Sequence, residues 1–319
     1  MIFHMLRVDY PSGWEKLKNL DFEKLAKIKK QFYYADIEWV LGSFGTYPGQ
    51  GYLVSFNSSY FEKYPGLGDF DFIRSYLPYA RKYGLKVISY LNLHWFSYEF
   101  AKKHSDWQQI NYEGIPYGEK HPLYGNGTTF CINSPWRDWT FKMIEEVMKT
   151  GIDGVFLDGP AIYPECCYCE YCRKLFKEKT GNDLPKWENW KDKNWKEFLI
   201  FRKESFLKFM KDAGKTVKKI KKDGVVFINS SYLPNWVIPR YIGDLEPYQD
   251  FNLAEAFYHL GTVKDFYFYY FVGKCLKVSN KPSTAAMHHT AGVWHWIPLY
   301  PSEVKMSISQ NLCVKNGIW

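Results

Sequence analysis

No run of uncharged apolar residues approaches the roughly 18 that a membrane-spanning helix requires, so no membrane partner is expected. The opening residues, Met1 to Arg7, lack the charged n-region of a secretory leader. Internal repeats with a period of about 20–50 residues are missing, as are low-complexity linkers, which speaks against solenoids and for one domain across residues 1–319. The formal charge of +8 has a local source, the basic run from Lys211 to Lys222, which reads as the solvated face of a helix. It is not interleaved with a recognised binding motif, so nucleic acid is not an expected partner. The seven cysteines do not form a secreted disulfide framework: four fall between Cys166 and Cys172, which suits metal chemistry in a reducing cytoplasm.

What the sequence does hold is an excess of aromatic residues, 20% of the chain, with 13 Trp, 26 Tyr and 24 Phe. Rings stack on the flat faces of sugars, and they also fill large cores; both accounts are open at this point. Apolar residues make up 46% and charged residues 24%, an ordinary globular balance with material for a large core.

Short β-rich runs alternate with amphipathic helical stretches, the pattern of repeated βα units and so of an α/β fold. Strands are expected at Met1–Asp9, Ala35–Leu41, Leu85–Leu91, Asp153–Leu157, Val225–Asn229, Phe251–Phe257 and Ser283–Met287. Helices are expected near Asp21–Gln31, Asp71–Tyr83, Pro135–Thr150, Trp195–Lys222 and Ser302–Lys315, with Ser134 as an N-cap. Ile318–Trp319 would open an eighth strand that the sequence cuts short. The architecture that fits is a (β/α)₈ TIM barrel.

In such a barrel the loops that follow the strands open on one face. That gathers Asp9, Asn92, His94, Trp95, Asp158, Asn229, Glu255, His288 and His289 onto one surface. The run Gly154-Val155-Phe156-Leu157-Asp158-Gly159-Pro160 drives a buried strand into a carboxylate and then a turn. Asp158 is therefore the first catalytic candidate; the plain alternative is a turn-capping Asp. Cleavage of a glycosidic bond uses two carboxyl groups, and Glu255, among small and apolar neighbours, is the best second one. A buried salt bridge would explain Glu255 equally well; Glu246 and Glu38 stand in reserve. Asp9, His94, Trp95, Asn229, His288 and Trp294, with His295 and Trp296 beside it, are expected to contact substrate.

Cys167-x-Cys169-x-x-Cys172 offers three corners of a tetrahedral zinc. Cys166 adjoins Cys167 too closely to serve, so the fourth ligand comes from elsewhere, with Cys131 favoured over His94 or His121. An all-cysteine site has no open position for water, so the expected zinc is structural and staples the 163–175 loop.

The stretch from Gly151 to Pro160, followed by the Cys-x-Cys-x-x-Cys loop and a helix, resembles the barrel of the hypothetical glycosyl hydrolase 6 group. The cysteine loop, with one earlier cysteine, is similar to the zinc site of family 42 β-galactosidases. Those enzymes carry an Asn-Glu pair after strand four, where this sequence reads Leu157-Asp158. An Asp nucleophile at that position instead resembles α-L-fucosidases, α-galactosidases and α-amylases. The resemblance implies a glycosidase. With the two strand-end carboxylates and the cysteine usage, the expected protein is a cytoplasmic, retaining glycoside hydrolase acting on an oligosaccharide or glycoside, with Asp158 as nucleophile and Glu255 as acid/base, and open to homo-oligomer formation. The rival readings are a non-catalytic carbohydrate-binding barrel or truncated scaffold, and a metal-dependent hydrolase using His94, His288 or His289.

Overall fold

The computed structural model describes residues 3–6, 15–44, 52–118, 127–235, 238–255, 267–278, 280–286 and 298–318. Five strands pair in parallel: β1 (Phe3–Leu6), β2 (Ile37–Leu41), β3 (Lys86–Asn92), β4 (Gly154–Asp158) and β5 (Val225–Ile228). A single parallel bridge, Asn229 to Leu253, links β5 to a second parallel group: β6 (Asn252–Glu255), β7 (Ser283–Ala286) and β8 (Gly317–Ile318). Helices follow the strands: α1 (Phe22–Gln31), α2 (Phe72–Lys82), α3 (Trp136–Met148), α4 (Glu170–Thr180), α5 (Lys193–Ile220), α6 (Phe268–Cys275) and α7 (Pro301–Cys313). The result is an α/β fold in which parallel strands alternate with helices. Among the described residues no helix is long and apolar enough to cross a membrane.

Local chemistry sets most element ends. Asp21 caps α1 by accepting the Lys24 N–H at 2.9 Å, and Asp71 caps α2 by accepting that of Arg74 at 2.9 Å. After α2 the chain reverses at Gly84, whose φ of +71° suits glycine. Ser134 does not itself cap α3; the cap position is Pro135, and the Ser134 hydroxyl accepts from Trp136 N–H at 3.3 Å. The helix α4 and the small hairpin of Phe96–Ser97 with Gly127–Thr128 were not expected from the sequence. The hairpin strands are two residues each, too short to show a period, whereas α4 begins inside the cysteine-rich loop, whose spacing reads first as metal ligands.

Two layers of apolar side chains lie on either side of the strands. The larger packs the sheet against its helices and includes Val40, Val87, Val155, Val226, Tyr76, Trp136 and Phe209. The smaller, on the opposite face, joins Trp39, Ile88, Phe156, Phe227, Phe251 and Leu253. Its rings are in close order: Trp39 stacks on Tyr90 at 4.7 Å, and Phe156 on Phe227 at 5.3 Å and 7°. Much of the aromatic excess among the described residues is thus spent on packing.

Glu38, held in reserve as a catalytic acid, is fully buried in the outer layer. It pairs with Lys29 and accepts from the Tyr76 hydroxyl. Burial raises the Glu38 pKa and lowers that of Lys29 against their mutual attraction. Its role is structural, because its strand position turns it away from the inner face. Glu246 is also removed from the candidate list: its carboxylate lies 3.4 Å from the Lys281 ammonium, ahead of β7 and therefore at the opposite end of the strands. Replacing Lys29 by Met strands a buried carboxyl group and should cost about 3–5 kcal/mol. Urea denaturation should show most of that loss recovered in the Lys29→Met, Glu38→Leu double variant; a single-variant loss under about 1 kcal/mol would contradict the pairing.

Candidate active site and cysteine cluster

A strand turns every second side chain to the same face. Ile88, Phe156, Phe227 and Leu253 belong to the inner apolar layer. Two residues further along each strand, Tyr90, Asp158, Asn229 and Glu255 therefore point the same way, one layer nearer the carboxyl ends. The register adds to this by placing Asn92 beside Asp158, and Glu255 beside Ala286. The site is a polar layer laid on an aromatic floor.

Asp158 is 7% exposed, and both its oxygens are engaged. Asn229 Nδ2 donates to Oδ1 at 2.8 Å, the Tyr90 hydroxyl donates to Oδ2 at 2.5 Å, and His94 Nδ1 lies 3.3 Å from Oδ2. Asn229 Oδ1 accepts the Gly159 N–H at 3.1 Å and Arg240 Nη1 at 3.1 Å. Gly159 has a φ of +72°, and a Cβ there would come within 2.3 Å of His94 Cβ. The glycine after the carboxylate is what lets the imidazole lie against the chain.

The two carboxyl groups titrate apart. Burial pushes Asp158 up, but the His94 charge, the hydrogen bonds of His94 and Tyr90, and the Arg240 charge outweigh it and hold Asp158 below its usual value. Burial lowers His94, yet the Asp158 charge and hydrogen bond raise it overall. Glu255 is pushed up to about 7, first by burial and then by the Asp158 charge, against the charges of Arg240 and His94. Its side chain is exposed by surface area because it opens onto a cavity of about 320 Å³, whose walls include Asn229, Ser230, Ser231, Tyr232 and Arg240. The protein around that cavity still removes it from bulk water, and the Asp158 charge acts in the same direction.

Of the expected substrate contacts, Asn229 is on the cavity wall and His94 is beside Asp158. Trp95 is a correction. It is 2% exposed, with its indole pinned between Gly118 and Gly127, where a Cβ would come within 2.3 and 2.2 Å of the ring. A ring so enclosed presents no face to a sugar. Asp9, His121, His288, His289, Trp294, His295 and Trp296 lie outside the described residues. Tyr90 and Arg240 were missed. Tyr90 is legible by alternation, two residues before Asn92, whereas Arg240 sits in a loop with no motif.

The sulfur atoms of Cys131, Cys167, Cys169 and Cys172 lie within 4.8 Å of one another, all buried. Four thiolates on a tetrahedral zinc stand about 3.8 Å apart at Zn–S distances of about 2.3 Å, so the set fits a metal of that kind. Cys172 arrives in the first turn of α4, and Cys131 is held by its N–H bonding Trp107 O at 2.7 Å. Asn133 supplies donors to the sulfurs, from Nδ2 to Cys172 at 3.3 Å and from its backbone to Cys131 at 3.4 Å. The loop between Asp158 and the cluster is tied from both sides. Gln109 Nε2 donates to Ala161 O at 2.7 Å while its Oε1 accepts Tyr163 N–H at 2.9 Å, and Arg202 Nη2 donates to Tyr163 O at 2.6 Å.

The fold is similar to that of glycosidases of the TIM-barrel type. Residues 44–159, roughly a third of the chain, match the family model described as hypothetical glycosyl hydrolase 6, a stretch that ends one residue past Asp158. Over its whole length the chain is similar in fold to α-L-fucosidase isoenzyme 2 from Paenibacillus thiaminolyticus, with a TM-score of 0.73, 17% identity and 46% of that chain covered. A β-galactosidase from Bacillus circulans sp. alkalophilus gives 0.64, 16% identity, and coverage of 100% of this chain and 50% of that one. A GH42 β-galactosidase from G. stearothermophilus gives 0.67, 12% identity, 100% and 51%. The chain spans about half the length of these solved structures. No curated protein matches it in sequence.

Gly159→Ala forces a side chain into a left-handed backbone and against His94, and should cost about 1–3 kcal/mol. Denaturation measures the loss, and the His94 ring resonances should shift as the imidazole leaves Asp158. Unchanged stability with unshifted resonances would contradict the packing described.

Proposed function

We propose that the protein is a retaining glycoside hydrolase built on a single (β/α)₈ barrel, with Asp158 as nucleophile and Glu255 as acid/base. The observation that carries this is the pair of carboxyl groups on the inner face at the ends of β4 and β6, with Asn229 at the end of β5 between them, one held ionised and the other held protonated to about 7. Ring closure is part of the reading; it is supported by β8 pairing with β7 and lying next to β1.

In the first step Asp158 attacks the anomeric carbon while Glu255 gives its proton to the leaving glycosidic oxygen. The bond to the aglycone breaks as the bond to Asp158 forms. Glu255, now a carboxylate, then takes a proton from water, whose oxygen displaces Asp158 and releases the sugar. Tyr90, His94 and Asn229 hold Asp158 charged and aimed, so that little reorganisation is needed as its charge is neutralised. The family-model match and the similarity to fucosidase and galactosidase folds support an O-glycoside as substrate.

The four-cysteine set is part of the proposal as a structural zinc site. Cys131, Cys167, Cys169 and Cys172 would hold the ion, which supplies cross-linking and no step of the reaction. Its effect would be to clamp the loop that leaves Asp158.

Asp158→Asn should lower turnover of aryl glycosides by about 10³-fold or more while leaving the fold unchanged by circular dichroism. Activity near the wild-type level would remove the nucleophile assignment. Cleavage needs Asp158 ionised and Glu255 protonated. The wild-type kcat/KM should therefore hold below neutrality and fall as pH rises through about 7, where Glu255 loses its proton. A profile flat through that range would contradict the acid assignment, and binding of oligosaccharides by calorimetry without cleavage would leave a carbohydrate-binding barrel. Metal analysis should return about one zinc per chain, lost together with thermal stability in Cys169→Ser, Cys172→Ser. A metal-free chain of full stability would refute the site.

A further inference from the structure

The Asn229 carboxamide makes three hydrogen bonds. Its oxygen accepts from Gly159 N–H and from Arg240 Nη1, each at 3.1 Å. Its nitrogen donates to Asp158 Oδ1 at 2.8 Å. The two donors fill both lone pairs of the oxygen, so the orientation has a single solution. Turned over, it would face the Asp158 carboxylate with oxygen and two donors with NH₂. Of the two donors that set its sense, Arg240 is the side chain.

Arg240 is itself delivered by backbone. Ser231 N–H bonds Arg240 O at 2.8 Å, and Arg240 N–H bonds Ile238 O at 2.8 Å. Ser231 and Tyr241 form a parallel bridge, so the loop after β5 is pinched shut at its base. Ser230 N–H bonds Leu253 O at 2.8 Å, which locks that base to β6, the strand carrying Glu255. The guanidinium is thereby set against Asn229 on the cavity wall.

We infer that Arg240 is a positioning residue of the proposed glycosidase site: through Asn229 Oδ1 it holds the carboxamide so that its NH₂ group keeps Asp158 in place. The inference rests on the glycosidase reading for its kinetic meaning and on the Arg240–Asn229 contact for its geometry. The charged and titratable groups facing Glu255 among the described residues are Asp158 from β4, His94 and Tyr90 from β3 and its following loop, and Arg240 from the loop after β5. Arg240 is a cation acting on both carboxyl groups, so its removal raises the pKa of each.

The test is Arg240→Gln, Arg240→Lys and Asn229→Ala, singly and with Arg240→Gln combined with Asn229→Ala, assayed on whichever aryl glycoside the wild type cleaves. Arg240→Gln should lower kcat by about 10–100-fold, the worth of a charge-assisted hydrogen bond, with KM changed by less than about threefold. Both limbs of its pH profile should move to higher pH. Arg240→Lys keeps the charge without the planar fork, so it should restore the limbs and only part of the rate. In the Asn229→Ala background Arg240→Gln should cost under about threefold more, because the path through Asn229 is already cut. Full additivity, or an effect confined to KM, would overturn the inference and make Arg240 a substrate contact, for instance to an acidic sugar. A wild type that cleaves no substrate would fail the glycosidase reading separately. The inference then stands or falls on the Asn229 side-chain amide signals, which should be sharp and slow to exchange in the wild type and lost in Arg240→Gln; signals unaltered in that variant would overturn it.

Discussion

Two carboxyl groups set above one apolar floor compete for the negative charge, because the charge on each disfavours ionisation of the other. In this protein that constraint is met by unequal partners. Asp158 has the Tyr90 hydroxyl, the His94 ring and the Asn229 amide, while Glu255 opens onto the cavity. The group with more donors keeps the negative charge, and the other keeps the proton. Much of the site's design follows: an inner layer of Trp39, Phe156, Phe227 and Phe251 to exclude water, a glycine after Asp158 to admit His94, and a pinched loop to deliver Arg240.

The rest of the molecule serves to keep that layer flat and fixed. Alternation along β3, β4, β5 and β6 places the floor and the polar layer two residues apart, so a one-residue slip in β4 or β6 would turn a carboxylate in among the helices. Between Asp158 and the four cysteines the loop is anchored twice, by Gln109 and by Arg202. Such anchoring suits a loop whose first residue, Gly159, touches His94.

What could be read beforehand was whatever depends on period and spacing. The alternating strands and helices, Asp158 at the end of a buried run, and the spacing of Cys167, Cys169 and Cys172 all follow from local pattern. So does the strand-end position of Glu255. The functions of single aromatic and polar residues were not legible, because they are decided by neighbours distant in sequence. Trp95 has the look of a sugar platform until Gly118 and Gly127 are seen to enclose it. Glu38 has the look of a reserve acid until Lys29 and Tyr76 are found against it. Arg240 announces itself in no motif, since its role depends on an amide eleven residues earlier in the chain whose orientation only the folded structure reveals.

The most direct measurement of the central claim is a carboxyl NMR titration of the intact protein, without substrate, in the wild type and in Asp158→Asn. The account predicts that Glu255 titrates near 7 in the wild type and moves down toward the ordinary carboxyl range when the Asp158 charge is removed. A Glu255 that titrates as an ordinary carboxylate in both proteins would contradict it.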